Sequence, residues 1–581
     1  YFDTKFSIPF DKVEYRKNST GTTLGVFHFH VTKGQRILIS TGISTVDEKG
    51  ALQNRESEMP EYKDFQSIYT ATKAAWNKQL MKLQVEANKL KGTNTDDINQ
   101  VITFYTALYH ACVHPSLASD VDNRYRGRDN KVHSTEGKFD YYSVFSLWDT
   151  YRGLHPLLSI IDQKRTNDFI NTFLCQYQQG GLLPVWELAS NETNCMIGYH
   201  CVPVIWDAVN KGIHDFDMKL ALEAMLASAN QNQKGLAEYR VDGFVHAETE
   251  HESVSKTMEY AYDDWCIARM AEKLGDKATA EKMYMRSLGW KNLHDTLTGF
   301  VRARRNGGFI EPFVPAQVDQ NYTEANAWQY CFAQARFLSS TYGTNNQKLL
   351  QDLFVANSVL EGRQQADITG LIGQYAQGNE PSHHMIYLLE NDRLRNQYLS
   401  EVMNNFYQNK PDGLIGNEDC GQMSAWFVLS AMGFYPTIPG DDMDAAYRIG
   451  VPLFKHVMIH FENNRSITFT NDVADKEGAY DLEGTALPGY LSHVTLMSTP
   501  ELHWTKKPFG NTKLQFNSYR NNLFRSCIEK YCVAPAIRAD RISFSGKLKV
   551  RVTPYPNLTK NETYTSILFT DPSKPNAAPA H

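Results

Sequence analysis

Residues 257–274 read TMEYAYDDWCIARMAEKL, and Met258, Ala261, Tyr262, Trp265 and Ala268 fall on one stripe at helical spacing, with Gly275 placed to cap the C-terminus. A second helix follows Glu418, with Met423, Trp426, Phe427, Ala431 and Phe434 on one face and Pro436 as its stop. Working outward, residues 97–440 repeat this pattern between Gly, Pro and Asn loops, with little strand signal. Helices in such number pair around one centre or stack as a solenoid. No fixed repeat period is visible, so a closed helical barrel is expected rather than an array.

The flanks change period. Residues 24–45 read as a β-hairpin, in which Phe27, Phe29 and Val31 alternate with Val26, His28 and His30. Lys33-Gly34 supplies the turn and Arg36–Ser40 resumes the strand. His28 and His30 share a strand face, and with no third ligand in view that face reads as solvated rather than as a metal site. TATKAAWNKQLMKLQVEANKL (70–90) reads as an amphipathic linker helix. After Pro439, Val457, Ile459 and Phe461 alternate, as do Ile467 and Phe469, then Leu548, Val550 and Val552, and the Pro- and Ala-rich end is expected to fray. The expectation is a multidomain α+β chain: a β domain over 1–70, a linker helix over 71–96, a helical barrel over 97–445 and a β-rich region over 446–581.

Composition removes several function classes. The 581 residues carry a net charge of −6, and the pI near 6.3 lacks the concentrated basic face of a nucleic-acid binder. No apolar run reaches the roughly 18–20 residues of a membrane span. Nine cysteines are too sparse for a disulfide scaffold. Cys195 with Cys201, or Cys527 with Cys532, are the pairs an oxidising compartment would close, and the rest read mostly as buried small hydrophobes. The N-terminus, YFDTKFSIPF, shows no signal peptide and starts as though in mid-domain. Sequons stand at Asn18, Asn557 and Asn561. Aromatic residues reach 12%, and rings serve both cores and the apolar faces of sugars.

Six loop-like stretches in the helical region combine carboxylates, rings and amides: 141–156, 180–200, YAYDDWCIA (260–268), 321–330, 373–385 and 412–426. That combination suits carbohydrate, because rings stack on the sugar while Asp, Glu, Asn and Arg read its hydroxyls. Glu324, in Tyr322-Thr-Glu-Ala-Asn-Ala-Trp328, has two readings. One is a first-turn Glu favoured by the dipole of a helix whose apolar face is Ala325, Trp328, Phe332 and Ala335. The other is a general acid whose pKa is raised by Tyr322, Trp328 and a second carboxylate. Asn417-Glu418-Asp419 precedes a helix, so Asp419 reads either as an N-cap beside Asn417 or as a base held ionised by free N–H groups. A carboxylate pair with opposite shifts is what glycoside hydrolysis needs. Glu380 precedes Pro381, which points to extended backbone. His383 and His384 lack HEXXH spacing, so zinc is not expected. Glu380, Asn191 and Asp419 form an oxygen-rich set suited to Ca²⁺, with no EF-hand-like spacing behind it.

LWDTYRGLHPLL, GGLLPVWELASNETNCMIGYH, YTEANAWQY, GNEPSHH and GNEDCGQMSAWFVLSAMGFYP together resemble glycoside hydrolase family 92, the calcium-dependent exo-acting α-mannosidases abundant in gut Bacteroidetes. The resemblance runs from about residue 20 to 465. It implies an N-terminal β-sandwich, larger than 1–70 supplies, packed on an (α/α)₆ barrel, an inverting mechanism and Ca²⁺ at the sugar site. It makes Glu324 the general acid and Asp419 the water-activating base. Trp148, Asp149, Trp186, Glu187, Asn379 and Glu380 become sugar-binding residues, and Asn191, Glu380 and Asp419 metal ligands. The implied substrate is a terminal α-mannoside of an N-glycan or mannan oligosaccharide, α-1,2 linkages favoured, met in the periplasm or outside the cell. Three positions depart from the family pattern: Ala325 replaces Gly, Asn379 replaces a His of some α-1,2-specific members, and Asn417 replaces an Asp of some members. Residues 490–581 match it poorly. A non-catalytic glycan-binding protein and another (α/α)₆ glycosidase or phosphorylase are the competing readings, separated by mannose release from yeast mannan and by phosphate dependence.

Overall fold

The computed structural model describes residues 1–59, 64–87, 95–335, 345–440, 446–473, 476–514, 521–534, 536–539 and 550–553. Leu548, the sequons at Asn557 and Asn561 and the Pro- and Ala-rich end lie outside them. The chain is mixed α+β.

At the N-terminus, β1 (Phe2–Phe6) pairs with β4 (Ile39–Ile43), while β2 (Lys12–Lys17) pairs with β3 (Thr23–His28). The hairpin is therefore 12–28 and not 24–45. Its turn is set by the Asn18 side chain, which accepts from the Thr20 and Thr22 backbone amides at 3.0 and 2.8 Å. The turn expected at Lys33-Gly34 forms, with Gly34 at φ +87°, but joins two different strand pairs. His28 and His30 are exposed beside Glu14 and Asp11, an ordinary charged strand face.

Helix α1 (Glu48–Glu58) packs on β4, and α2 (Phe65–Leu80) stops sooner than expected. Residues 83–86 leave the helical pattern for β5 (Leu83–Glu86), because Leu83 and Val85 sit opposite Ile459 and Val457 in a sheet. The described residues of the expected linker helix thus run as helix to Leu80 and as strand over Leu83–Glu86, where sheet packing overrides the Lys- and Ala-rich propensity.

The helical region comprises α3 (Thr95–His110), α4 (Leu147–Thr150), α5 (Leu154–Ile161), α6 (Gln163–Gly180), α7 (Cys201–Asn210) and α8 (Met218–Asn230). It continues with α9 (Leu236–Asp242), α10 (Ser253–Lys273), α11 (Lys277–Arg286), α12 (Ala327–Tyr330), α13 (Asn345–Val355), α14 (Asp392–Asn405) and α15 (Gln422–Met432). Helix α10 lies against α7, α8 and α11 and is buried on every face. The expected stripe is therefore a complete surround, and YAYDDWCIA belongs to this central helix rather than to a loop. Truncating Trp265, which is fully buried, would cost about 3–5 kcal/mol. Helix α15, equally buried, ends at Gly433 with φ +93°, and Phe434 already begins a short strand. Pro436 is not its stop.

Short strand pairings between the helices, which no apolar alternation marks, carry or precede several of the candidate site residues. Phe145–Ser146 pairs with Trp186–Leu188, which pairs with Asn191–Glu192, and Leu371–Ile372 pairs with Tyr375–Ala376. Beyond the helices, a sheet runs in the order 485–486, 478–482, 501–506, 466–471, 456–460, β5. Its Val457, Ile459, Ile467 and Phe469 join one hydrophobic core with the helices. All nine cysteines are free, so neither proposed disulfide forms; Cys195 and Cys532 are exposed, and four others are buried.

Candidate active site

Three chain segments meet. Asp149 lies on α4, directly after the Phe145–Ser146 strand, and its Oδ2 accepts from Ser146 Oγ. Glu380 opens a 3₁₀ turn that follows the Tyr375–Ala376 strand; the extended residue is Asn379, one position earlier than expected, with Pro381 in the turn where no donor is needed. Asp419 sits in the turn before α15. Asp419, Cys420 and Gly421 have φ of +50°, +53° and +97°, a left-handed run that costs non-glycine residues energy.

These three carboxylates each offer an oxygen, all within 4.8 Å of one another. Asp149 and Glu380 are buried, and neither Glu380 oxygen has a hydrogen-bond partner. Burial raises the Glu380 pKa well above the ordinary range, and the charges of Asp149 and Asp419 add to it. Burial does the same to Asp149, reinforced by Asp419 and Glu324. Asp419 is pushed up to about 6, by burial first and by Asp367 and Glu418, against a carboxyl–carboxyl contact with Glu380 that lowers it. Asp419 was expected to be held ionised by helix N–H groups, and the structure reverses that shift. Glu418, not Asn417 or Asp419, caps α15: Ser424 N and Oγ donate to its carboxylate at 3.2 and 2.8 Å. Close, desolvated, like charges with unpartnered oxygens suit a hard divalent cation, which takes oxygen ligands and removes the repulsion.

Glu324 stands before α12, not in its first turn, with φ +47°. Asn326 caps that helix in a capping box with Gln329, so the helix-dipole reading of Glu324 falls away. Asn379 Nδ2 donates to the Glu324 backbone oxygen at 2.9 Å and to its Oε2 at 3.2 Å. Burial lifts the Glu324 pKa to about 7, helped by Asp367, Asp419 and Glu252 and opposed by Asn379. Of the two rings expected around it, Tyr322 donates to the Val301 carbonyl at 2.8 Å and Trp328 packs edge-on against Phe300.

The remaining expected residues divide. Trp148 is buried beside the Arg152 guanidinium, its indole N–H without a partner. Trp186 is half-buried in its short strand. Glu187 is buried, and both its oxygens are occupied by Ser143 Oγ, Val144 N and Ser190 N at 3.1, 3.1 and 2.5 Å. It organises a loop with Val144, Ala189 and Ser190 at positive φ, and burial lifts its pKa to about 7 despite those donors. Asn191 is exposed, and among the described residues no hydrogen bond links it to the carboxylates. Asp149, expected as a sugar-binding residue, joins Glu380 and Asp419 in the carboxylate cluster.

Two groups escaped the sequence reading. Asp367, half-buried, accepts from Asn417 Nδ2 at 3.0 Å and acts electrostatically on both Glu324 and Asp419. Behind the cluster lies a buried ionic chain. Arg152 Nη2 donates to Glu259 Oε1 at 3.1 Å, Glu259 Oε2 is 3.2 Å from His200 Nε2, and His200 Nδ1 is 2.8 Å from Asp263. Burial pushes Glu259 up, yet the Arg152 and His200 charges bring it down to about 2. Burial opposes the His200 charge, but Asp263 and Glu259 raise it to about 9. Arg152 was visible in LWDTYR, whereas nothing local marks Asp367.

Residues 50–507 match the glycosyl hydrolase family 92 catalytic domain. Among solved structures, the chain is similar to a family 92 α-mannosidase of Bacteroides thetaiotaomicron in complex with mannoimidazole. The two are 32% identical with a TM-score of 0.80, over 87% of this chain and 70% of that one. A family 92 inverting mannosidase of Bacteroides thetaiotaomicron is 28% identical with a TM-score of 0.75, over 87% and 72%. A curated relative, described as an uncharacterized secreted glycosidase of Arthroderma benhamiae, is 25% identical over 480 residues; they make up 75% of this chain, which spans only 55% of that relative's length. Among the described residues, no helix is long and apolar enough to cross a membrane.

Proposed function

From the chain's membership of glycosyl hydrolase family 92, to which it belongs across residues 50–507, we propose that it is an exo-acting α-mannosidase, secreted or periplasmic, that hydrolyses terminal α-linked mannose with inversion. Its substrates are N-glycan or mannan oligosaccharides, α-1,2 linkages favoured. Residues 97–445 form its (α/α)₆ barrel, and 1–70 belong to a β-sandwich.

The observation that carries this reading is Glu324 poised near pKa 7 within the electrostatic reach of Asp419. Protonated Glu324 delivers its proton to the glycosidic oxygen as the C1–O bond breaks, so the leaving alcohol departs neutral. Asp419 takes a proton from water, whose oxygen attacks C1 from the opposite face and yields β-mannose. An inverting pair stands about 6.5–9.5 Å apart, which leaves room for that water. Asn379 steadies the acid, half-buried Trp186 is the sugar-facing ring, and buried Trp148 backs the site through Arg152.

Asp149 and Glu380, with Asp419, would hold Ca²⁺, which when bound supplies positive charge to polarise and orient mannose hydroxyls. A ¹H NMR time course on α-mannobioses of defined linkage tests the reading: β-mannose is expected first. Release of α-mannose first, or none from any linkage, overturns it.

A further inference from the structure

The peptides carrying the three clustered carboxylates come from residues 149, 380 and 419, far apart in sequence, on a one-turn helix, a 3₁₀ turn and a left-handed turn. Something must set their spacing, and one fully buried amide joins all three peptides. Gln422 Oε1 accepts from Gly153 N and Leu154 N at 2.9 and 3.1 Å, closing the start of α5 a short step beyond Asp149. Its Nε2 donates to His383 Nδ1 at 3.1 Å, which leaves His383 Nε2–H to donate to the Gln377 carbonyl at 3.1 Å. Gln377 and His383 bracket Glu380. The circuit then returns: Gln377 Nε2 donates to Tyr407 Oη at 2.8 Å, and Tyr407 donates to the Met423 carbonyl at 3.0 Å, beside Gln422 itself. Trp426 Nε1 fixes the His383 carbonyl at 2.9 Å.

Every member is buried: Gln377 and Gln422 are 0% exposed, His383 1% and Tyr407 5%. Both lone pairs of the Gln422 oxygen are used, so the amide has one orientation. A Cβ on Gly153 would meet the Gln422 amide atoms at 3.2 Å, so the α5 start is seated tightly on this side chain. A closed, fully satisfied polar circuit has little freedom to shift one peptide without breaking bonds to the others.

We infer that Gln422 is a positioning residue that fixes the spacing of Asp149, Glu380 and Asp419 and so sets the cation affinity of the site. It touches no substrate and acts only through the three peptides. The calcium part rests on the proposed function; the spacing part does not.

Three variants test it. Gln422→Met keeps the bulk and removes the amide. His383→Leu breaks only the arm to the Glu380 peptide and serves if the first variant fails to fold. Gln176→Met removes a comparably buried amide in α6, bonded to the Tyr141 hydroxyl at 3.3 Å, as a control for general loss of stability. Calcium chloride titrated calorimetrically should bind about tenfold or more weakly to Gln422→Met and His383→Leu, the loss typical of ligand-orienting groups, and normally to Gln176→Met. Crystals of the two site variants grown with EDTA should show the three oxygens spread beyond their 4.8 Å grouping. Wild-type-like calcium affinity in both site variants, or an unchanged grouping, overturns the inference. If the wild-type protein binds no calcium, the proposed function is what fails, and the crystallographic spacing still decides the role of Gln422.

Discussion

Asn379 holds Glu324 twice, through the backbone oxygen at 2.9 Å and through Oε2 at 3.2 Å, and its neighbour is the cluster residue Glu380. The acid's peptide and the cluster's peptide are thus tied by one side chain. The bond favours the ionised Glu324, so Asn379→Ala should raise the acid's pKa and move the basic limb of the kcat/KM profile upward by up to about one unit. The same change frees a residue held at φ +47°, so kcat should fall about tenfold through lost orientation. A pH–rate profile of the variant checks both; a basic limb that moves down contradicts the placement of the bond.

Glu324 itself carries a stability signature. Its folded pKa is about 7 against an ordinary 4.5, so the folded state binds this proton more tightly than the unfolded chain. The stability it supplies is full below about pH 4.5 and is lost as pH rises through 7. Glu324→Gln lacks that loss. Relative to wild type it should gain about 2 kcal/mol more at pH 8 than at pH 4, a value reduced from the full shift because the group is partly solvated. Denaturant unfolding at the two pH values measures it. The same variant should lose far more turnover on alkyl than on activated aryl mannosides, since a good leaving group needs little protonation.

The helical centre was legible because burial imposes a 3.6 period on apolar residues, and the long strings around Asp149, Glu324, Glu380 and Asp419 were legible as motifs. What the sequence hid is non-local. Leu83 and Val85 read as helix until Ile459 and Val457 are placed opposite them, and the 12–28 hairpin depends on an Asn18 side-chain turn that also spells a sequon. Asp367 enters the site only through folding, with no local pattern to mark it. The upward pKa of Asp419 was misjudged for the same reason: a helix N-terminus is visible in sequence, but the burial and the neighbouring carboxylates that outweigh it are not. Asn191 sits exposed on its short strand, paired with Leu188, a placement that no local pattern announces.

The carboxylate cluster predicts opposite responses with and without metal. In EDTA, Asp149→Asn removes one of three crowded acids and should raise Tm by about 1 °C for each kcal/mol of repulsion relieved, the small shift expected of so long a chain. Adding CaCl₂ should raise the Tm of wild type but not of the variant, because binding to the folded state alone stabilises it. Activity lost in EDTA should return with CaCl₂ in wild type only. Differential scanning fluorimetry and mannose release measure these, and a calcium shift in the variant equal to wild type would remove Asp149 from the ligand set.

Behind that cluster, Glu259 is the anion shared by Arg152 and His200. Glu259→Gln leaves two buried cations short of a counter-charge, which should cost about 3–5 kcal/mol, whereas Glu259→Asp keeps the charge and should lose less. The pH dependence gives a sharper check. His200 has a folded pKa of about 9 against an ordinary 6.5, so its contribution is full below about pH 6.5 and lost as pH rises through 9. Without Glu259, only Asp263 supports the imidazolium, and its folded pKa falls. The alkaline decline in Tm should therefore begin at lower pH in Glu259→Gln than in wild type. Melting curves from pH 6 to 10 decide it: parallel declines would mean that Asp263 alone holds the His200 charge, and that Glu259 serves Arg152 only.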